Sequence, residues 1–399
     1  MLKPKPASRR RRAAVAALLM LMLFAAGANR RALGQSDDPE RERAVKLYEA
    51  SKYTDALPLL EKLAVKYPDD PVVLSRLGFT LYVTTATLKD PAERQKVRAR
   101  ALAILLRSRQ HGDDSNLTRL TLDALNSRDS TDIPFSNIRD AEKAIRDGEA
   151  AFAGGDLDAA LAHYKHALEL DPELYEAALY AGDMYFKKGY AMTDRSAGSE
   201  LMDKAGEWFA RAVAISPDRE TAYRYWGDAL TWQDRRDDAR AKFVEAIVAE
   251  PYSRSSWVGL SQWAQKYGVR LAHLRVDVPK DAAASDPVWG PYAAARAEWR
   301  SRRFAAEFPG ESGYRHSLAE EAAALRAVAV AASSSAWAGK ELTPSQQNLI
   351  ELNKDGLLEA YVLFALADEG IARDYAAYRK TNRERLRHYL LDYVSSSKN

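Results

Sequence analysis

The sequence predicts an all-α fold, in which helix-turn-helix pairs stack as a solenoid and a C-terminal helical extension follows. Three observations predict it. A five-position template, Gly227, Ala239, Phe243, Ala246 and Pro251 at spacings of 12, 4, 3 and 5, recurs as Gly148, Ala160, Tyr164, Ala167 and Pro172. Its last four positions recur again as Ala205, Phe209, Ala212 and Pro217, with Pro217 and Pro251 34 residues apart. The chain is 47% apolar, ample for a core, and its zero cysteines leave stability to helix packing.

The elements follow in chain order. Residues 1–34 carry eight basic residues and no acid, so the formal charge of +3 masks a mildly acidic remainder. An acidic body argues against nucleic acid as a partner, because a phosphate binder needs cations to displace counterions. Arg9 to Arg12 precede the apolar run 13–28, and small residues at Ala26 and Ala28, or Ala32 and Gly34, suit cleavage of a secretory signal. Sixteen helical residues reach roughly 24 Å, short of a hydrocarbon core of about 30 Å. Cleavage is expected and implies an exported protein, periplasmic or secreted. An uncleaved anchor is the alternative.

Residues 37–110 read as degenerate repeats. Ala44, Tyr53, Ala56, Leu60 and Pro68 mark one unit, and LSRLGFTLY (74–82) opens another, which TTATLKDPAER (84–94) interrupts. Residues 111–140 read as a linker with a short helix, and 141–267 as the regular repeats. An insertion of about eleven residues, KKGYAMTDRSA (187–197), interrupts the unit at 175–219. A small residue where two helices cross lets their backbones approach, an aromatic fills the space between neighbouring pairs, and proline ends each unit. The aspartates of GGDLDAA (154–160) and QDRRDDA (233–239) fall at one place in their units, where they suit a turn and a helix start.

Tyr223, Trp226, Gly227, Leu230, Ala239, Phe243, Ala246 and Pro251 stand where the tetratricopeptide repeat has its signature residues, and the 34-residue pattern resembles that family over about 37–267. The resemblance implies a concave groove lined by one side of each first helix. In this chain it implies Phe152, Glu176, Asp183, Phe186, Lys187, Thr221, Arg224, Asp228 and Trp232 as outward positions, with Glu142, Glu149, Leu179, Ser255 and Gln262 also on that side. The three aromatics among charges have the anchors and polar rim of a groove for a protein or peptide. A groove filled by the protein's own 271–399 segment is the alternative.

Residues 268–287 read as a linker, with strand-like alternation in HLRVDV (273–278). Residues 288–399 read as the helical region, with helices at about 288–308, 312–333, 343–367 and 371–394. They either form a small domain or continue the solenoid. The last helix is basic and amphipathic, with Arg379, Lys380, Arg383, Arg385 and Arg387 against Leu386, Leu390, Leu391 and Val394. It suits a cap on the solenoid, and membrane association is conceivable only through it or an uncleaved N-terminus.

No catalytic residue, metal site or cofactor is expected. The sequence has no phosphate-binding glycine loop, HExxH, EF-hand loop or GxSxG. His163 and His166 read as outward-facing neighbours of packing residues. Glu298, Glu307, Glu320 and Glu321 read as ordinary helix-surface acids. The expected function is a protein-protein interaction scaffold or adaptor in the cell envelope. The alternative is an envelope enzyme or oligosaccharide-binding protein acting on peptidoglycan or another polysaccharide through the C-terminal helical region, for which Glu298, Glu307 and His316 would have to converge.

Overall fold

The structure, a computed structural model, describes residues 38–88, 90–126, 134–279, 287–335 and 341–396. The signal segment 1–34, and parts of the linkers expected at 111–140 and 268–287, lie outside the described residues. The described residues form helices and no strand, as the all-α reading expects. They fall into two compact units, Met1–Ser256 and Trp257–Asn399.

The first unit is a stack of helix pairs. α1 (Pro39–Glu49) and α2 (Tyr53–Lys66) form the first, α3 (Pro71–Thr84) and α4 (Pro91–Gln110) the second. A single helix, α5 (Asn116–Asn126), precedes α6 (Arg139–Ala153) with α7 (Leu157–Leu170). Then come α8 (Tyr175–Ala191) with α9 (Arg195–Ile215), and α10 (Glu220–Trp232) with α11 (Arg236–Ala249). Aspartates begin several of these helices. Asp38, Asp70 and Asp90 each accept backbone N–H bonds in the turn that follows, ahead of a proline that needs no N–H partner there.

Each crossing is built from a small residue under a large one. A Cβ added to Gly148 would lie 2.5 Å from the Tyr164 ring, and the same holds for Gly182 under Phe209 and Gly227 under Phe243. Any larger residue would force the paired helices apart. The large side chains then reach the next pair, Tyr164 meeting Tyr180 at 5.2 Å and Phe209 meeting Tyr225 at 5.9 Å between ring centroids. Burying one such ring contributes about 1.5–3 kcal/mol, so the crossings hold the pairs together and join successive pairs.

The two interrupted units obey the same rule. In the second pair Leu105 takes the aromatic's place over Gly78. The insertion KKGYAMTDRSA adds helix rather than loop, carrying α8 to Ala191 and starting α9 at Arg195. Gly189 and Gly198 let the lengthened helices touch, since a Cβ on Gly189 would lie 2.8 Å from the Gly198 carbonyl.

In the three uninterrupted pairs the turn is one motif repeated. Ser51, Gly155 and Asp234 have φ of 59°, 84° and 62°, the left-handed region. The next residue's N–H reaches back five positions, Lys52 to Leu47, Asp156 to Ala151 and Arg235 to Leu230, at 2.9–3.0 Å. This pairing satisfies carbonyls that the ending helix leaves free. The aspartate cluster at 234–238 is thus a turn and a helix start.

The division between the units falls in the first turn of α12 (Arg254–Tyr267), so most of that helix, read from sequence as repeat, belongs to the second unit. There, α13 (Gly290–Glu298) runs on through Trp299–Arg303 and Phe304–Glu307. It is followed by α14 (Leu318–Ala332), α15 (Pro344–Lys354), α16 (Leu358–Tyr361), α17 (Glu369–Ala372) and α18 (Tyr375–Tyr389). Residues 312–317, expected as helix, precede α14, and Gly356 at φ 68° divides the helix expected at 343–367.

The strand-like alternation at 273–278 does not become a strand, and the segment is linker, as its place in the chain implies. Among the described residues there is no second strand to pair with, and helices satisfy part of the backbone instead. Asn348 donates to the Arg275 carbonyl at 2.8 Å and the Asp277 N–H donates to Ser345 at 2.9 Å.

Candidate functional site

The nine residues expected to line an open groove lie on the first helices of three consecutive pairs, α6, α8 and α10, and eight of them are buried. Arg224, Phe186 and Asp183 are each 1% exposed, and Trp232 is half-buried. The expectation of a free face is corrected, and contacts inside the unit show how. Phe152 meets Tyr53 of the first pair at 5.8 Å and lies beneath Lys187, whose Nζ is 5.4 Å from its ring. Phe186 stacks on Tyr190 at 6.2 Å. Glu176 accepts from Arg219 at 2.8 Å, Arg224 donates to Glu220 at 3.0 Å, and Thr221 donates to Glu220 at 3.2 Å. Trp232 carries Arg195 at 3.9 Å on its ring, and its own edge fills the space above Gly198.

The charges on this face recur with the repeat. Glu149, Asp183 and Asp228 each directly follow a crossing glycine, and each has a cation three or four residues away, Arg146, Lys187 and Arg224. Burial disfavours their charged form. It pushes Glu149 up to about 7 against the pull of Arg146, Asp183 up to about 6 against Lys187, and Asp228 up to about 7 against Arg224. Both Asp183 oxygens are buried with no hydrogen-bond partner. The face therefore carries weak acids that exchange protons near neutral pH, enclosed among aromatics. The sequence signal was available, since the residue after each crossing glycine is acidic in all three regular pairs.

The second unit gathers a denser cluster. Ser317 caps α14, accepting from the Glu320 N–H at 3.2 Å, and so brings two adjacent acids, Glu320 and Glu321, inside. Arg296 of α13 donates to Glu320 at 2.5 Å and to Glu321 at 2.9 Å. Tyr292, one turn before Arg296, donates to both Glu321 oxygens at 2.9 and 3.0 Å, and Tyr314 donates to both Glu320 oxygens at 2.9 Å. His316 reaches Glu321 through Nε2 at 2.9 Å and Asp368 through Nδ1 at 2.7 Å. Beside it, Arg315 holds Asp374 at 2.6 and 3.1 Å, and Asp374 accepts the Leu318 N–H at 2.9 Å.

Glu320 and Glu321 are therefore interior and not surface acids. Their oxygens take arginine and tyrosine donors, an arrangement that ties α13 to α14. Glu298 and Glu307 do not join them; they pair with Arg302 and Arg303 at the surface. Sequence reasoning missed Arg296, Tyr292, Tyr314 and Asp368. Ser317 and Glu320, at the spacing of a helix-start box, were its one usable signal.

His166 lies outward and pairs with Glu169 at 3.2 Å, as expected of the convex surface. Among the described residues no group of three or more His, Asp or Glu is placed to hold a metal ion, and no helix is long and apolar enough to cross a membrane. Leu386, Leu390 and Val394 of the basic last helix are buried in the second unit, where Tyr389 stacks on Phe364 at 6.0 Å.

No protein-family model matches the chain, and no curated protein is a significant match to it. Among solved structures the chain is similar to the TPR domain of P58(IPK), at 13% identity and a TM-score of 0.27, over 87% of this chain and 95% of that one.

Proposed function

We propose that the chain is an exported scaffold of the cell envelope that binds a protein partner through the exposed second-helix face of its stacked pairs. One observation carries this reading: the first-helix face is buried, while α7 and α9 turn Ala162, His166, Asp203, Lys204, Glu207 and Arg211 to solvent. A rigid stack of pairs holds such residues in fixed register over several turns, which lowers the ordering cost of binding. On its margin Lys165 lies 5.7 Å and Arg211 5.5 Å from the Trp208 ring, so a half-buried aromatic sits among cations.

A photo-crosslinking residue placed at Ala162, Lys204 or Glu207 in the full chain tests the surface. The expected outcome is a saturable adduct with a defined envelope protein, competed by unlabelled protein. Adducts from Phe152 alone would return the function to the inner face, and no adduct from any of these positions would remove the scaffold reading.

Export rests on the composition of residues 1–34. N-terminal sequencing of the mature protein should begin near Asn29 or Gln35. A retained Met1 would overturn cleavage.

A further inference from the structure

His316 stands between two carboxylates, with Nδ1 2.7 Å from Asp368 and Nε2 2.9 Å from Glu321. A neutral imidazole donates from one nitrogen only, and its other nitrogen would turn a lone pair toward a carboxylate oxygen. Neither oxygen is free to relieve this by donating. The Glu321 oxygen facing His316 already accepts from Arg296 at 2.9 Å and from Tyr292 at 3.0 Å. Asp368, which caps α17 by accepting the Ile371 N–H at 2.9 Å through its other oxygen, is held below the ordinary carboxylate range and carries no proton to give. Both ring nitrogens must therefore carry protons.

We propose that His316 is a proton-dependent latch, whose imidazolium holds the Asp368 cap of α17 to the start of α14 and lets it go when the ring loses a proton. The groups facing it come from every neighbouring segment: Tyr292 and Arg296 from α13, Tyr314 and Arg315 ahead of α14, Glu320 and Glu321 on α14, and Asp368 and Asp374 around α17. Burial opposes the charge and Arg296 repels it, yet the bonds to Glu321 and Asp368 outweigh both and raise the ring above its ordinary value. Asp368 is correspondingly lowered; burial alone would raise it, and the bonds from the Ile371 N–H and from His316 prevail.

The latch has a fixed hinge beside it. Arg315 grips Asp374, and Asp374 accepts the Leu318 N–H, through bonds in which the histidine ring takes no part. Arg315 also donates to the Gly370 carbonyl at 2.8 Å, so the opening is confined to the Asp368 side chain and the Ile371 N–H it accepts. Gly370 lies against the His316 backbone, where a Cβ would collide with its carbonyl.

Because the folded value is raised, the stabilisation is complete below the ordinary histidine value and fades as pH climbs through the folded one. The test is nitrogen NMR of the full chain labelled at histidine, with His316→Gln to assign the signal. Both His316 nitrogens should be protonated at pH 6, and a singly protonated ring there would overturn the latch. Hydrogen exchange of the Ile371 amide, corrected for its intrinsic pH dependence, gives a second reading. Protection should fall by up to about tenfold per pH unit above the histidine midpoint and stay level in His316→Gln; equal slopes would overturn it. If His316→Gln does not fold, Asp368→Asn takes its place. It should move the His316 midpoint down, and an unmoved midpoint counts against the proposal.

Discussion

The guanidinium of Arg195 lies 3.9 Å from the centroid of the Trp232 ring, and it also donates to the Trp232 carbonyl. The ring's far edge occupies the space that a Cβ on Gly198 would need, 2.6 Å from its Cη2. An aromatic expected to await a partner thus locks the start of α9 against the end of α10.

If so, Trp232→Ala destabilises the chain by about 2–4 kcal/mol, the cost of emptying a packed aromatic site. Gly198→Ala costs about 1–3 kcal/mol by overpacking, and less in the Trp232→Ala background, where one of its two collisions is gone. Urea unfolding followed by circular dichroism measures the cycle. Strict additivity would show that the ring and the glycine do not press on one another.

The fold was legible because its determinants are local and periodic. Gly148 with Tyr164 and Gly227 with Phe243 are pairs at a fixed spacing, visible in a string of letters. The face of Trp232 was not legible, because its cover comes from the insertion at 187–197, which reads as a loop but lengthens two helices. Likewise, Phe152 meets Tyr53 across three intervening helices, and no period connects them. In the second unit Glu320 was read as a surface acid because Arg296 and Tyr314, its donors, have no motif in common with it.

The repeated turn separates backbone from side-chain effects. Gly155 is left-handed and stands against Lys52, 2.7 Å from where a Cβ would come, so Gly155→Ala should destabilise by about 1–2 kcal/mol. Asp234 holds the same conformation without glycine's freedom, and Asp234→Gly should be neutral or stabilising by up to about 1 kcal/mol. Thermal melts of the two variants decide it. A loss on Asp234→Gly would mean that the aspartate side chain does more than turn the chain.

Asp228 makes the buried acids testable. Its folded value of about 7 exceeds an ordinary carboxylate's, through burial that Arg224 only partly offsets. As pH rises from about 4, the unfolded chain ionises first and folding loses ground until about 7. Asp228→Asn removes that loss while leaving Arg224 its bond to Glu220. The variant should be more stable than the parent at pH 8, on the order of 2 kcal/mol, and the gap should close toward pH 4. A gap independent of pH would place the ionisation elsewhere.

Arg296 decides whether the acids of the second unit are structural. It donates to Glu320 and Glu321 together, and Glu320 is fully buried. Removing one partner of a buried ion pair leaves charge without compensation, so Arg296→Met should cost about 3–5 kcal/mol. Glu320→Gln with Glu321→Gln in the same chain would relieve those charges, and restoring part of the loss in the triple variant is the expected signature of a packing network. Groups held ready for chemistry behave in the opposite sense, because an active site stores strain and truncating it commonly raises stability. Chemical denaturation of the single, double and triple variants reads the difference directly. An Arg296→Met protein as stable as the parent would show that the acids lean on other donors and that Arg296 does not hold α13 to α14.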